Sequence, residues 1–305
     1  MKRSKLVLAS LIGLLGATAM SAQAEGPLRK AMRARMAAQM KSDPAPGGTE
    51  YAYGVDPVQK LDLWKPKGAT KPVPLVLFVH GGGWQRGDKA NATGADMVGH
   101  LTGQGYAVAS INYRLVPAAT VEKQAQDVAG AIAWARDNAA KIGIDPTRIV
   151  IMGHSAGAHL VALVGTDERW LEALGLTEGA VRGVIALDGA AYDVPSQFEQ
   201  AGPMMRSTYE QAFGTDPARQ RALSPLAHAA GPNAPAFLLL HIDRADGKAQ
   251  TEALGAALTK SGTPAEVKGV EGKGLRGHME INRALGRADY PATAIVDDWL
   301  KKVLG

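Results

Sequence analysis

The sequence predicts an α/β fold built on a mostly parallel sheet, and three observations carry that prediction. Continuous apolar runs such as Val73–Val79 and Arg148–Met152 have the character of strands buried on both faces. Helical periodicity fills the intervals between them. Strand and helix alternate at the spacing of βα units, so helices cover both faces of the sheet. Tyr51–Tyr53 and Gln59–Trp64 open the sheet as an antiparallel pair around Asp56-Pro57. Buried strands follow at Val73–Val79, Tyr106–Asn112, Arg148–Met152, Val181–Leu187 and Ala236–His241, and Ala265–Val270 closes a sheet of about eight. Helices are expected over Val121–Lys141, His154–Val164, Gln250–Lys260 and Pro291–Val303. In the first, Val121, Ala125, Val128, Ile132 and Ala135 share one face. Residues 192–232, rich in Pro, Gly and Met, are expected to be an irregular, cap-like insertion over the C-terminal edge of the sheet. There is no internal repeat, so 49–305 is assigned to one domain.

Composition narrows the function. The chain has 305 residues, of which 46% are apolar and 21% charged, the profile of a globular protein. It contains no cysteine, which excludes disulfides, thiolate metal sites and a cysteine nucleophile. The net charge of +5 is unevenly placed. Lys2, Arg3 and Lys5 precede a 15-residue apolar run, Leu6–Met20, short of the roughly 20 residues a bilayer span needs. Ala22-Gln23-Ala24 then supplies small residues at the positions a signal peptidase reads. Residues 1–24 are therefore expected to be a signal peptide, and the protein to be exported, periplasmic or secreted, with no stable membrane anchor after cleavage. The remainder has 31 bases against 29 acids, a net of +2. Five of those bases lie in 25–41, within a basic N-terminal helix and linker assigned to 25–48. Leu28, Met32, Met36 and Met40 form one stripe on that helix. From residue 42 onward 26 bases face 28 acids, and no nucleic-acid-binding surface is expected.

Gly153-His154-Ser155-Ala156-Gly157 joins a predicted strand to a predicted helix. A serine on so sharp a turn projects its hydroxyl from the sheet edge, which suits a nucleophile. Val79-His80-Gly81-Gly82-Gly83-Trp84 ends an earlier strand. Its glycines leave backbone N–H groups open to hold an oxyanion together with that of Ala156, a contact whose loss typically costs about 2.7–4 kcal/mol of transition-state stabilisation. His80 precedes the serine and is assigned to ordering the glycine loop. A serine nucleophile needs a base, and the base an orienting carboxylate. Among His80, His100, His154, His159, His228, His241 and His278, the base is assigned to His278, expected in the glycine-rich loop of Gly272–Gly277 after the last strand, from which it can swing over the sheet edge. Asp243 and Asp246 both follow the strand Ala236–His241, with Asp243 preferred because it comes directly off the strand end. Asp188, at the end of the preceding strand, ranks third. No His and acid cluster has metal-ligand spacing, so neither metal nor cofactor is expected.

At these residues the chain resembles the α/β-hydrolase superfamily, carboxylesterase/lipase type, and within it the branch of kynurenine formamidases and bacterial feruloyl-esterase-like enzymes. The resemblance runs from about Tyr51 to Leu304. It rests on His80-Gly81-Gly82-Gly83-Trp84, Asn112-Tyr113-Arg114, Gly153–Leu160, Ser224-Pro225-Leu226 and His278–Asn282. It implies Ser155 as nucleophile, His278 as base, and the amides of Gly82, Gly83 and Ala156 as oxyanion donors. Many relatives carry His-Gly-x-x-Asp where this chain has His241-Ile242-Asp243-Arg244-Ala245-Asp246. Counting back from Gln250 favours Asp243, and counting forward from His241 favours Asp246. The expected activity is cleavage of a small-molecule ester through an acyl-enzyme. The alternatives are an arylformamidase-like amide hydrolase, a lipid-surface lipase and a catalytically silent binding protein. Nothing in the sequence fixes the oligomeric state.

Overall fold

The structure, a computed structural model, describes residues 45–305 apart from residue 93. The expected signal peptide, and the basic helix and linker as far as residue 44, lie outside the described residues. The last linker residues pack down, and Trp64 Nε1 donates to the Pro46 carbonyl at 3.1 Å.

Eight strands form one sheet: β1 (Thr49–Ala52), β2 (Lys60–Trp64), β3 (Val73–Val79), β4 (Ala107–Ile111), β5 (Ile144–His154), β6 (Gly183–Leu187), β7 (Phe237–Asp243) and β8 (Ala265–Lys273). Their spatial order is β1-β2-β4-β3-β5-β6-β7-β8. The β1–β2 and β2–β4 pairs are antiparallel and every other pair is parallel. This is the α/β-hydrolase arrangement that the sequence predicts, opening pair included.

Period-two alternation sends successive residues of β3 and β5 to opposite faces, and both faces are apolar. Leu75, Leu77, Val79, Ile149 and Ile151 belong to one core layer with the helices Val121–Asp137 and Ala156–Thr166. Val76, Phe78, Val150 and Met152 belong to the other, with Met97, Leu101, Val296, Trp299 and Leu300 from the helices Gly94–Gly103 and Pro291–Leu304. Each such side chain contributes roughly 1.5–3 kcal/mol on burial. Ala156–Thr166 is small or apolar on every side apart from His159 and Thr166, and it is buried along its whole length. It therefore fixes Ser155, which precedes it, against the centre of the sheet.

Two local expectations need correction. Residues 192–232 are not irregular: they form the helices Val194–Gln200, Pro203–Phe213, Pro217–Ala222 and Pro225–His228. The prolines and glycines there are start and stop signals. Pro203, Pro217 and Pro225 each occupy the first helical position, where proline's missing N–H costs nothing. His278, in turn, stands within the helix Gly274–Arg283 rather than in a loop.

Candidate active site

The C-terminal ends of β3, β5, β6 and β7 meet at one edge of the sheet, the usual ligand edge of an open α/β sheet. Ser155 leaves β5 with φ 56° and ψ −118°, a conformation that costs a non-glycine residue about 1–3 kcal/mol. The surroundings hold it there. Its N–H donates to the Leu187 carbonyl at 3.0 Å, and its carbonyl accepts from His159 N–H at 3.1 Å. The flanking glycines serve close approach. A Cβ on Gly153 would lie 2.3 Å from the Gly157 carbonyl oxygen, and one on Gly157 only 2.1 Å from that of Val79. A larger residue at 157 would push the turn off β3, and one at 153 would push the helix start off the strand.

His278 Nε2 lies 3.0 Å from Ser155 Oγ, and Nδ1 lies 2.5 Å from Asp188 Oδ2. With Nδ1–H donating to the carboxylate, Nε2 is left to accept the serine proton. Asp188 is therefore the carboxylate on His278, in place of the expected Asp243 or Asp246. It ends β6 on a strained turn of its own, with φ 42°. Its N–H donates to the Leu240 carbonyl at 2.8 Å, and its Oδ1 accepts from Ile242 N–H at 3.2 Å. The side chain is 0% exposed. Burial pushes its carboxyl up, but the His278 hydrogen bond and the charge of Arg244 outweigh burial and hold it below the usual carboxylate range.

The two expected acids point elsewhere. Every residue of β7 before Asp243 is buried, on both faces of the sheet; Asp243 is the last residue of the strand, beyond an irregularity in its pairing with β8, where the covering layers end. The Asp243 side chain is 69% exposed and lies 3.4 Å from Lys273 Nζ. Asp246 stands in the first turn of the helix Ala245–Lys260, 3.5 Å from Arg244 Nη1, and accepts from Gln197 Nε2 at 3.2 Å. The sequence held a signal for Asp188: a buried run, Val184–Leu187, ends in an acid followed at once by glycine. A Cβ on Gly189 would meet Tyr192 Oη at 2.0 Å.

The glycine loop is anchored from several sides. His80 donates from Nδ1 to the Gly81 carbonyl at 2.8 Å, and its own carbonyl accepts from Tyr113 Oη at 2.8 Å. Its ring stacks on Tyr113, with centroids 4.3 Å apart. Burial pushes the His80 imidazole down to about 4, which favours the neutral ring. Trp84 donates from Nε1 to His159 Nδ1 at 3.3 Å, while its carbonyl accepts from Gln124 Nε2 at 2.8 Å. His159, itself pushed by burial down to about 4, donates from Nε2 to the Leu223 carbonyl at 2.8 Å. Gly82 and Gly83 take φ of 128° and 62°, and their N–H groups have no acceptor among the described residues. Ala156 opens its helix, where an N–H has no intrahelical acceptor. A Cβ on Gly81 would sit 3.0 Å from Ser155 Cβ, so this loop lies directly against the serine.

His154 has a role that the sequence did not reveal. Its Nε2 donates to the His278 backbone carbonyl at 2.7 Å, and the two rings are 4.6 Å apart. Burial, then the charge of His278, push it down to about 3, so the residue before the serine is a neutral clamp on the histidine. Among the described residues no group of three or more His, Asp or Glu could hold a metal ion.

Residues 61–247 match the BD-FAE family model, a span holding the glycine loop, Ser155 and Asp188. Among curated proteins, the chain is 36% identical over 203 residues to esterase LipC of Mycobacterium tuberculosis, covering 63% of this chain and 49% of that one. It is 40% identical over 110 residues to the probable isoprenylcysteine alpha-carbonyl methylesterase ICMEL1 of Arabidopsis thaliana, covering 36% and 23%. The chain thus spans about half or less of the length of these relatives. Among solved structures, esterase B from Lactobacillus rhamnosis superimposes with a TM-score of 0.71 at 24% identity, over 90% of this chain and 92% of that one, a likeness of fold. The extent of the family match, together with the serine turn and glycine loop inside it, shows that this chain belongs to the BD-FAE family.

Proposed function

We propose that the protein is a serine hydrolase that cleaves small carboxylic esters through an acyl-enzyme. The observation that carries this reading is the hydrogen-bonded chain from Ser155 through His278 to buried Asp188, at 3.0 and 2.5 Å. His278 Nε2 takes the hydroxyl proton as Ser155 Oγ attacks the ester carbonyl. The amides of Gly82, Gly83 and Ala156 receive the oxyanion. The C–O bond to the alcohol then breaks, and His278 returns the proton to the leaving oxygen. Water, deprotonated by the same nitrogen, releases the acid and restores Ser155. Asp188 holds the tautomer throughout and stabilises the imidazolium that forms. The ester-hydrolase names of the curated relatives support an ester over a formamide substrate.

Ser155→Ala is expected to fold normally and to lose p-nitrophenyl acetate turnover and fluorophosphonate labelling. Undiminished turnover in that variant would overturn the assignment. The proposal includes export, supported by the three-part pattern of residues 1–24. The exported protein should then begin at Glu25, which N-terminal sequencing would read directly.

A further inference from the structure

Arg244 stands where β7 gives way to its helix, beside the positions at which the sequence places the acid. Its side chain is turned inward. Nε lies 3.6 Å from Asp188 Oδ2, and Nη2 donates to the Gly189 carbonyl at 3.1 Å. Nη1 lies 3.5 Å from Asp246 Oδ2. Asp246 is steadied by Gln197 Nε2, and Gln197 Oε1 accepts from Ala191 N–H at 3.1 Å. The guanidinium therefore bridges the turn after β6 to the start of the helix after β7. Gly247 makes room for it, because a Cβ there would lie 2.7 Å from Arg244 Nη2.

This position matters because Asp188 is fully enclosed. A carboxylate out of water stays charged only if nearby charge and hydrogen bonds replace its hydration. The Ile242 amide supplies one hydrogen bond and His278 another. While His278 is neutral, before it takes the serine proton, neither partner is a cation. Arg244 is the cation set against Asp188 through that stage.

We propose that Arg244 is a positioning residue for the acid: its guanidinium keeps Asp188 ionised and turned toward His278. The proposal rests on the Ser155–His278–Asp188 reading. Arg244 acts through Asp188 and touches neither Ser155 nor a reacting atom.

The test uses the full mature chain with p-nitrophenyl acetate. Arg244→Met is expected to lower kcat roughly tenfold to a hundredfold, the scale at which outer partners that support a working side chain act around metal sites. KM should stay within about twofold, because no substrate contact is lost. Arg244→Lys should recover part of the loss. In an Asp188→Asn background, Arg244→Met should cost nothing further. If Arg244→Met does not fold, Arg244→Gln, which keeps a donor for the Gly189 carbonyl but no charge, carries the same expectation. Wild-type kcat in the uncharged variants, or an equal loss in both backgrounds, overturns the proposal. Undiminished turnover in Ser155→Ala or Asp188→Asn would instead overturn the underlying reading, so the two failures are distinguishable.

Discussion

The ends of β6 and β7 look alike in sequence and behave oppositely in space. Each is a buried apolar run that ends in an aspartate, Leu187-Asp188 in one and Ile242-Asp243 in the other. Asp188 takes a left-handed turn, and its carboxylate is enclosed at His278. Asp243 stays in the strand at its last position, past the covered part of the sheet, and its side chain reaches solvent beside Lys273. Distance from the strand end is thus a poor guide to which carboxylate is fixed. The backbone angle at the last residue decides, and here the strained angle marks the carboxylate that meets His278.

The largest expected effect separates the two aspartates. Asp188→Asn should lower kcat about ten-thousandfold, the scale of losing the carboxylate that sets the histidine tautomer. Steady-state kinetics would measure it, and an equally damaging Asp243→Asn would break the contrast.

Acid pH should expose the next difference. His80, His154 and His159, pushed down to about 4, 3 and 4, stay neutral in the fold but are protonated in the unfolded chain below about 6.5. The unfolded state then binds more protons, so stability is lost as pH falls from about 6.5 toward 4. Each histidine contributes up to about 1.4 kcal/mol per pH unit. Asp188, held below its ordinary value, and Glu122, at about 2, withdraw further stability only once the pH passes below the unfolded carboxylate range. Glu122 is lowered although burial, the largest influence on it, raises it: the Arg219 hydrogen bond and smaller contributions prevail. Urea midpoints at pH 7.5, 6 and 5 should fall in that order.

A pair of glycines sharpens the packing side. In Gly189→Ala the new methyl meets Tyr192 Oη, on a fully buried ring, and should cost about 1–3 kcal/mol in thermal denaturation. In Gly247→Ala it meets the movable end of Arg244 in a helical turn. Stability there should change by less than about 1 kcal/mol while kcat falls. The smallest effect belongs to Asp243→Asn, which should leave both kcat and the melting temperature unchanged, since its ion pair is exposed.

Much of this was legible in the sequence, for identifiable reasons. The buried strands are continuous apolar runs, and the serine turn is bracketed by glycines that the Val79 carbonyl and the helix start require. His278 follows from its place after the last strand. Asp188 was legible only in part, because its distinction is a φ of 42° and an enclosure built by Ile242 and Arg244 at the end of β7 and by His278 from a later helix. The His154 clamp was hidden for the same reason: its acceptor is a backbone carbonyl 124 residues away. The helices of 192–232 were missed because proline reads as a breaker unless its place in the first turn is recognised.

The amides of Ser155 and Asp188 each hang on the next strand, at the Leu187 and Leu240 carbonyls. Exchange of these two protons with solvent therefore requires β5, β6 and β7 to separate, an event close to whole-molecule opening. They should rank among the slowest-exchanging amides of the protein. Heat should accordingly extinguish turnover and native structure together, with no temperature window in which an intact fold holds a melted site.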